Sequence, residues 1–350
     1  MAKINPEFSD ELKKYGAFDL NACYNCGNCT AVCTLSDEEN SFPRKMVRYS
    51  VLGLDGEITA SLDPWLCYYC GECSVTCPRE ADPGELMMSL RRWLTAKYDW
   101  TGLSGLLYKS WPASLFSFLL LTLAVVLFGS YQQFDTSVMM HYGHFFEIAA
   151  ITLVFALILL PNILHMWWLT IYKPGIKVPF SAYLTSLQDL MVHMFTQKRA
   201  LGCDDNRFRW FEHFVLVLGY LLLLFTTVFL NWFETANLFI IILGYVESAV
   251  IFVVTFDFVR RRIQKNQAVS KNSHPSDWLF VIWLFLMGLT AFLVRLFIDV
   301  DMLETAPWIY LIHLIILVQW ALLIVPFGKW THFLYRSFAM YFHRVIELKQ

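Results

Sequence analysis

The sequence predicts an all-α protein in two unlike parts: a water-facing helical module over residues 1–100 and a six-span membrane bundle over residues 101–350. Three observations carry that prediction. Hydrophobic residues make up 57% of the 350-residue chain and the mean hydropathy is +0.48, above the roughly 45–50% apolar content of soluble domains. Charge is unevenly placed: residues 1–100 carry 10 Lys/Arg and 15 Asp/Glu, whereas residues 101–350 hold 17 and 14, spread between long apolar runs. Eight of the nine cysteines fall between residues 23 and 77. With a formal net charge of −2, no nucleic-acid partner is expected.

The first element is the opening "MAKINPEFSDELKKYG", which has no short apolar core behind a basic end and no small-residue cleavage site. The module is therefore expected to stay in the cytoplasm. Reduced thiols clustered there point to metal ligation, not disulfides. The first set is "CYNCGNCTAVC", with Cys23, Cys26, Cys29 and Cys33; the second is "CYYCGECSVTCP", with Cys67, Cys70, Cys73 and Cys77, each 44 residues after its counterpart. Two successive CxxC steps put three thiolates on one tight loop, whose backbone amides can also donate to cluster sulfides. The fourth cysteine points into the following segment, and in two-cluster ferredoxins it ligates the other cluster. The expected sets are Cys23, Cys26, Cys29 and Cys77 for one [4Fe-4S] cluster, and Cys67, Cys70, Cys73 and Cys33 for the other. Structural zinc would take paired CxxC motifs from two separated knuckles instead. Between the sets, "FPRKMVRYSVLGL" reads as a helix after Pro43, and "GELMMSLRRWLTAKY" reads as another after Pro83. The module is thus a helical two-cluster ferredoxin, not a small sheet-based one. Cys203 stands alone in "LGCDDN" and reads as a free surface thiol.

Six apolar runs follow, near 112–130, 145–171, 210–232, 237–259, 278–298 and 306–327. Each is long enough for a hydrocarbon core of roughly 30 Å, which takes about 20 helical residues. The loops near 131–143, 233–236 and 299–305 contain no Lys or Arg, whereas 16 of the 17 basic residues of this half lie in the other loops or the tail. Both termini are therefore expected on the cytoplasmic side of the inner membrane. One connecting piece, "SAYLTSLQDLMVHMFTQKRAL", sets Leu184, Leu187, Met191 and Met194 at helical spacing and reads as an amphipathic surface helix.

Histidines at the edges of spans are costly to hold in lipid and mark sites. His144 opens the second run from outside, with His141 just before it; His165 closes that run and His213 opens the third from inside. His313 enters the sixth run from outside and His332 follows 19 residues later, about 28 Å along a continuous helix. Two imidazoles at opposite depths are what stacked b haems need, each iron taking ligands from two facing helices.

Residues "DPWLCYYCGECSVTCPREADPGELMMSLRRW" resemble the iron-sulfur C subunit of heterodisulfide reductase, and "FRWFEHFVLVLGY" with "IHLIILVQWALLIVPFGKWTHFLY" resembles its cytochrome b partner, the E subunit. Both in one chain resemble the membrane C subunit of quinone-interacting membrane-bound oxidoreductase (Qmo) complexes. The resemblance implies His213 and His332 as the axial pair of an inner haem b and His313 as one ligand of an outer haem. The outer haem's usual second ligand would fall in "LLLLFTT", which has no histidine. His144 would then take its place, or the outer haem is five-coordinate or missing; His165 is the alternative to His213. A second departure is Thr34, where the family usually has proline.

The resemblance further implies menaquinone as membrane substrate, flavin- and iron-sulfur-bearing partner subunits like the A subunit of heterodisulfide reductase, and adenylylsulfate reductase beyond them. No flavin-binding Gly-rich loop or hydrolytic constellation occurs in the chain, so substrate chemistry in water belongs to partners. Quinone-site candidates are Glu147, Glu247 and His141, with the two acids as proton carriers or as neutral acids buried in the bundle. Arg295 is the one basic residue inside a predicted span, and either a haem propionate or Asp299 would pair with it. A haem-free redox sensor or anchor, and a transporter using Glu147, Glu247 and Arg295, are the competing classes; the helices lack the internal repeat of transporters.

Overall fold

A computed structural model of the chain describes residues 3–198, 201, 207–228, 237–265 and 273–349, and every regular element among them is helical. Cys203 and the predicted loop at 233–236 lie outside the described residues.

The N-terminal module is built of short helices around one long one. Pro83 enters the long helix, Pro83–Tyr98, at its first turn, and the Asp82 carboxylate accepts from the Glu85 amide at 3.2 Å; proline and an Asx cap both favour a helix start. Leu86, Met87, Leu90, Trp93, Leu94 and Tyr98 of this helix are buried on several of its faces, the pattern of a helix enclosed all round. The helix expected after Pro43 is present as Arg44–Val51.

Among the described residues, six helices have the length and apolarity to cross a membrane: Trp111–Tyr131, Thr136–Tyr172, Arg207–Val228, Leu238–Gln264, Pro275–Asp299 and Pro307–Glu347. The second span starts nine residues before the predicted 145, so His141 and His144 sit inside its first turns and not at its mouth. That span widens into π-helical turns at Phe155–Leu159 and Trp168–Tyr172, and the sixth does so at Trp320–Ile324. Pro161 and Pro326 follow the first and third of these turns closely; a ring without an N–H clashes with the carbonyl four residues earlier, and a wider turn relieves that clash.

The sixth span is not one continuous helix. It ends at Phe327, turns through Gly328 and Trp330, and resumes as a tail helix, Thr331–Glu347. His313 and His332 therefore do not share a helix axis, contrary to the straight-helix reading. The connecting amphipathic piece is likewise broken at Ser186 into Phe180–Thr185 and Leu187–Thr196. Leu184, Leu187 and Met191 remain exposed, and the Tyr341 hydroxyl of the tail donates to the Tyr183 carbonyl at 2.9 Å.

Within the bundle, Gly288 lets the fifth span approach the fourth so closely that a Cβ there would lie 2.7 Å from the Phe252 amide nitrogen. Gln319 ties three spans: its amide donates to the Phe118 carbonyl at 3.0 Å and the Thr122 hydroxyl at 2.8 Å, and its oxygen accepts from Trp283 Nε1 at 2.9 Å. Such polar links hold spans that have no hydrophobic force between them.

Module and bundle are joined by a shared core and a buried ion network. Tyr335 of the tail stacks edge-on against Trp65 at 5.6 Å and Tyr98 at 5.7 Å, and is fully buried. Arg92 of the long module helix meets Glu85 and Asp277 at 2.8 Å each, and Lys329 meets the other Asp277 oxygen at 2.8 Å. Burial works against the Arg92 charge, but the Asp277 and Glu85 carboxylates outweigh it and hold the guanidinium protonated.

Candidate redox site

The two cysteine loops fold as copies of one another. Asn25 and Tyr69 both take φ of 58°, Gly27 and Gly71 take 95° and 89°, and a single helical turn follows each glycine, Asn28–Ala31 and Glu72–Val75. The positive φ at the glycines turns the chain sharply enough to bring successive thiols to one side. Backbone amides donate to sulfur in each loop: Asn25 N to Cys23 Sγ at 3.3 Å, Tyr69 N to Cys67 Sγ at 3.3 Å, and Ala81 N to Cys77 Sγ at 3.4 Å.

Two small cavities result, and their linings cross over between the sets. Cys23, Cys26, Cys29 and Cys77 line one; Cys33, Cys67, Cys70 and Cys73 line the other. All eight thiols are free of disulfides. Among the described residues no three His, Cys, Asp or Glu side chains converge on a point suited to a single metal ion. Thiols ringing a space, with amides aimed at sulfur, suit a cluster that spreads its ligands over several irons. Burial pushes the Cys67 thiol up from its ordinary range, with Arg91 opposing, and burial also raises Cys29, Cys33 and Cys73; iron binding there must release protons. Arg91 props the second loop by donating to the Pro64 carbonyl at 2.7 Å, the Trp65 carbonyl at 3.3 Å and the Cys67 carbonyl.

Directly beneath that loop lies a cavity of about 320 Å³, to which His213 of the third span and His332 of the tail helix both contribute. Tyr68, Tyr69 and Cys70 form part of the same lining. The His332 Nδ1 lies 2.5 Å from the Lys329 carbonyl; a carbonyl only accepts, so Nδ1 carries the proton and Nε2 keeps its lone pair for a ligand. Apolar walls from Leu216, Phe280 and Leu284 combine with a cationic rim of Arg209, Arg262, Lys329 and Arg336. Two imidazoles, apolar walls and cations suited to propionates are a donor set that fits a b haem. Arg209 also donates to the Tyr69 carbonyl at 3.3 Å, linking the rim to the cysteine loop.

Residues 19–81 match the 4Fe-4S dicluster domain. Around that dicluster domain the chain is 30% identical over 97 residues to a heterodisulfide reductase C-subunit-like protein of Archaeoglobus profundus, covering 27% of this chain and 52% of that one. It is 34% identical over 77 residues to the C subunit of the H(2):CoB-CoM heterodisulfide,ferredoxin reductase of Methanothermobacter marburgensis, covering 22% and 42%. It is 32% identical over 97 residues to an iron-sulfur C subunit of the CoB--CoM heterodisulfide reductase of Methanocaldococcus jannaschii, covering 25% and 52%. The chain spans about half the length of the curated relatives it matches. No solved structure matches it. The likeness supports a redox iron-sulfur subunit of oxidoreductase type, carried on helices suited to a membrane.

Farther from the dicluster domain, a second cavity of about 250 Å³ has His313 and Glu147 in its lining, with Tyr220, Trp320 and Trp330 shared between both cavities. Trp320 Nε1 donates to the Tyr220 hydroxyl at 3.2 Å in that common wall. His313 Nδ1 sits 2.9 Å from Thr290 Oγ1. The other candidates are not brought here. His144 lies 3.6 Å from Glu147 but outside the cavity lining, and Gly143 beside it takes the position that packs on Tyr310. His141 is exposed, and Glu247 is buried between spans, accepting from Thr226 at 3.3 Å. His165 is held at 3.0 Å from the Tyr98 carbonyl and lines neither cavity. Arg295 meets Asp299 and lines neither cavity. Missed in the sequence were Arg209 and Arg336, each four residues from a cavity histidine. That one-turn spacing puts cation and imidazole on one helix face, and was the signal available.

Proposed function

We propose that this chain is the membrane electron-transfer subunit of a quinone-linked, heterodisulfide-reductase-like complex of the Qmo type. The observation that supports it most is the shared cavity: the loop carrying Cys67, Cys70 and Cys73 closes the space lined by His213 and His332. Bound iron-sulfur clusters and haem b supply one-electron transfer between the quinone pool and water-side partner subunits. The chain's own residues hold those groups at set positions. Cys23, Cys26, Cys29 and Cys77 hold one cluster; Cys67, Cys70, Cys73 and Cys33 hold the other. His213 and His332 would hold the inner haem, with Arg209, Arg336 and Lys329 of the same lining as charge partners for its carboxylates.

The cavity of His313 and Glu147 is assigned to the menaquinone head, with His313 as hydrogen-bond partner and Glu147 as the proton carrier. Its lining lacks His144, which weighs against a second haem there. Both termini face the cytoplasm, and the partners are flavin- and iron-sulfur-bearing subunits resembling the A subunit of heterodisulfide reductase, with adenylylsulfate reductase as the end acceptor. The test is a reduced-minus-oxidised absorption spectrum of the purified chain with haem and iron counted per protein. One haem and eight non-haem irons are expected. Two haems would return the outer cavity to His313 and His144, and no haem would refute the conduit.

A further inference from the structure

A further space lies apart from the cysteine loops and the cavity histidines. It measures about 510 Å³ and sits where the dicluster domain meets the near ends of the first and fifth spans. Four lysines border it: Lys13, Lys14, Lys109 and Lys265. Lys14 and Lys265 have no ion-pair partner among the described residues, while Lys13 is taken by Asp10 at 2.6 Å and Lys109 leans to Glu11 at 3.6 Å. The Lys13–Asp10 pair is exposed and exchanges easily with another anion, whereas Glu11 is partly buried and also accepts from Trp93 Nε1 at 3.2 Å. Acidic residues also border the space, but two are engaged elsewhere. Asp82 caps the long helix and accepts from Ser74 at 2.5 Å, and Glu85 is paired with Arg92. Asp82 keeps its charge, because both of its donors are neutral, so Asp19 and Asp82 together oppose the four lysines.

The remaining walls are apolar and interfacial. Trp111 opens the first span, half exposed, at the depth where indole rings sit in bilayers. Leu107 and Leu279 line the space from either side, and the first and fifth spans close beneath it where Phe118 meets Trp283 at 4.6 Å. We infer that this space is a binding site for the phosphate headgroup of an anionic phospholipid, whose acyl chains run down the seam of the first and fifth spans. The lysines supply the charge complement, and the apolar seam, which a free phosphate would not use, favours the lipid.

The test uses the full chain in nanodiscs of phosphatidylcholine alone, of phosphatidylcholine with phosphatidylglycerol, and of phosphatidylcholine with added inorganic phosphate. Retained lipid is counted by native mass spectrometry and melting is followed in parallel. One phosphatidylglycerol per chain is expected to persist, with a melting rise that inorganic phosphate does not reproduce. Lys14→Gln with Lys265→Gln should weaken retention about 25-fold, taking about fivefold per lysine. Lys14→Arg with Lys265→Arg should keep it, and both variants should keep the cluster absorption. Equal retention of the two lipids, unchanged retention in the glutamine variant, or full replacement by inorganic phosphate would overturn the lipid assignment.

Discussion

The Asp277 carboxylate is the most demanding test of how the dicluster domain is seated. Its two oxygens meet Arg92 and Lys329 at 2.8 Å each, and its side chain and that of Arg92 are both 6% exposed. Asp277→Asn keeps the volume and still offers an oxygen to the His274 amide, which Asp277 now accepts at 3.3 Å. It removes only the charge. Arg92 retains Glu85 as a partner, whereas Lys329 loses its Asp277 partner and is 24% exposed, so water screens part of its loss. Removing one member of a buried pair costs about 3–5 kcal/mol, and with Glu85 still in place the lower end applies. About 3 kcal/mol is roughly a hundredfold in the equilibrium for opening the junction. Amide hydrogen exchange of Pro83–Tyr98 in the purified chain reads that opening directly, with Arg92→Met and the double variant completing a cycle. Exchange that speeds up less than about fivefold, or a double variant whose effect is the plain sum of the singles, would refute the junction as the seat of the domain.

Four further outcomes follow from the geometry. Cys77→Ser should remove the iron held with Cys23, Cys26 and Cys29, and Cys33→Ser that held with Cys67, Cys70 and Cys73, each halving the iron count and leaving one cluster signal in electron paramagnetic resonance. His332→Ala should abolish the haem absorption bands, whereas His165→Ala should leave them unchanged, because His165 is tied to Tyr98. Gly27→Ala forces a side chain into φ of 95° and should cost about 1–2 kcal/mol, read as a lower melting temperature of the cluster-loaded chain. Gly288→Ala would set a methyl 2.7 Å from the Phe252 nitrogen and should cost about 1–3 kcal/mol, measured as loss of thermal stability in detergent with cluster content unchanged.

The six spans were legible because crossing lipid demands about twenty apolar residues in a row, a signal that no packing detail can hide. The cysteine motifs were legible for a similar reason: three thiols on one loop are a local pattern, and the structure puts the fourth thiol of each set in the lining of the other set's cavity. What was not legible depends on rotation and breaks. "MMHYGH" lowers the local hydropathy at the start of the second span, so an apolar run alone begins that helix too late. His144 stands out as a second ligand for His313, yet it is one residue, about 100° of helix rotation, from the Gly143 face that meets the sixth span. The break at Gly328 and the π turns before Pro161 and Pro326 arise from single residues, and a window long enough to detect a span averages them away.

The tail helix has a consequence for how the protein is made. Leu334, Tyr335, Ala339, Phe342 and Val345 lie in the same buried cluster as Phe8, Trp65, Trp93 and Tyr98. The segment that leaves the ribosome before any of the spans is thus completed by one that emerges after all six. Until the bilayer has received every span, the domain lacks one wall of its interior, and Trp65 lacks its Tyr335 neighbour. Order of synthesis and order of completion run in opposite directions, which makes full membrane insertion a precondition for a finished redox domain.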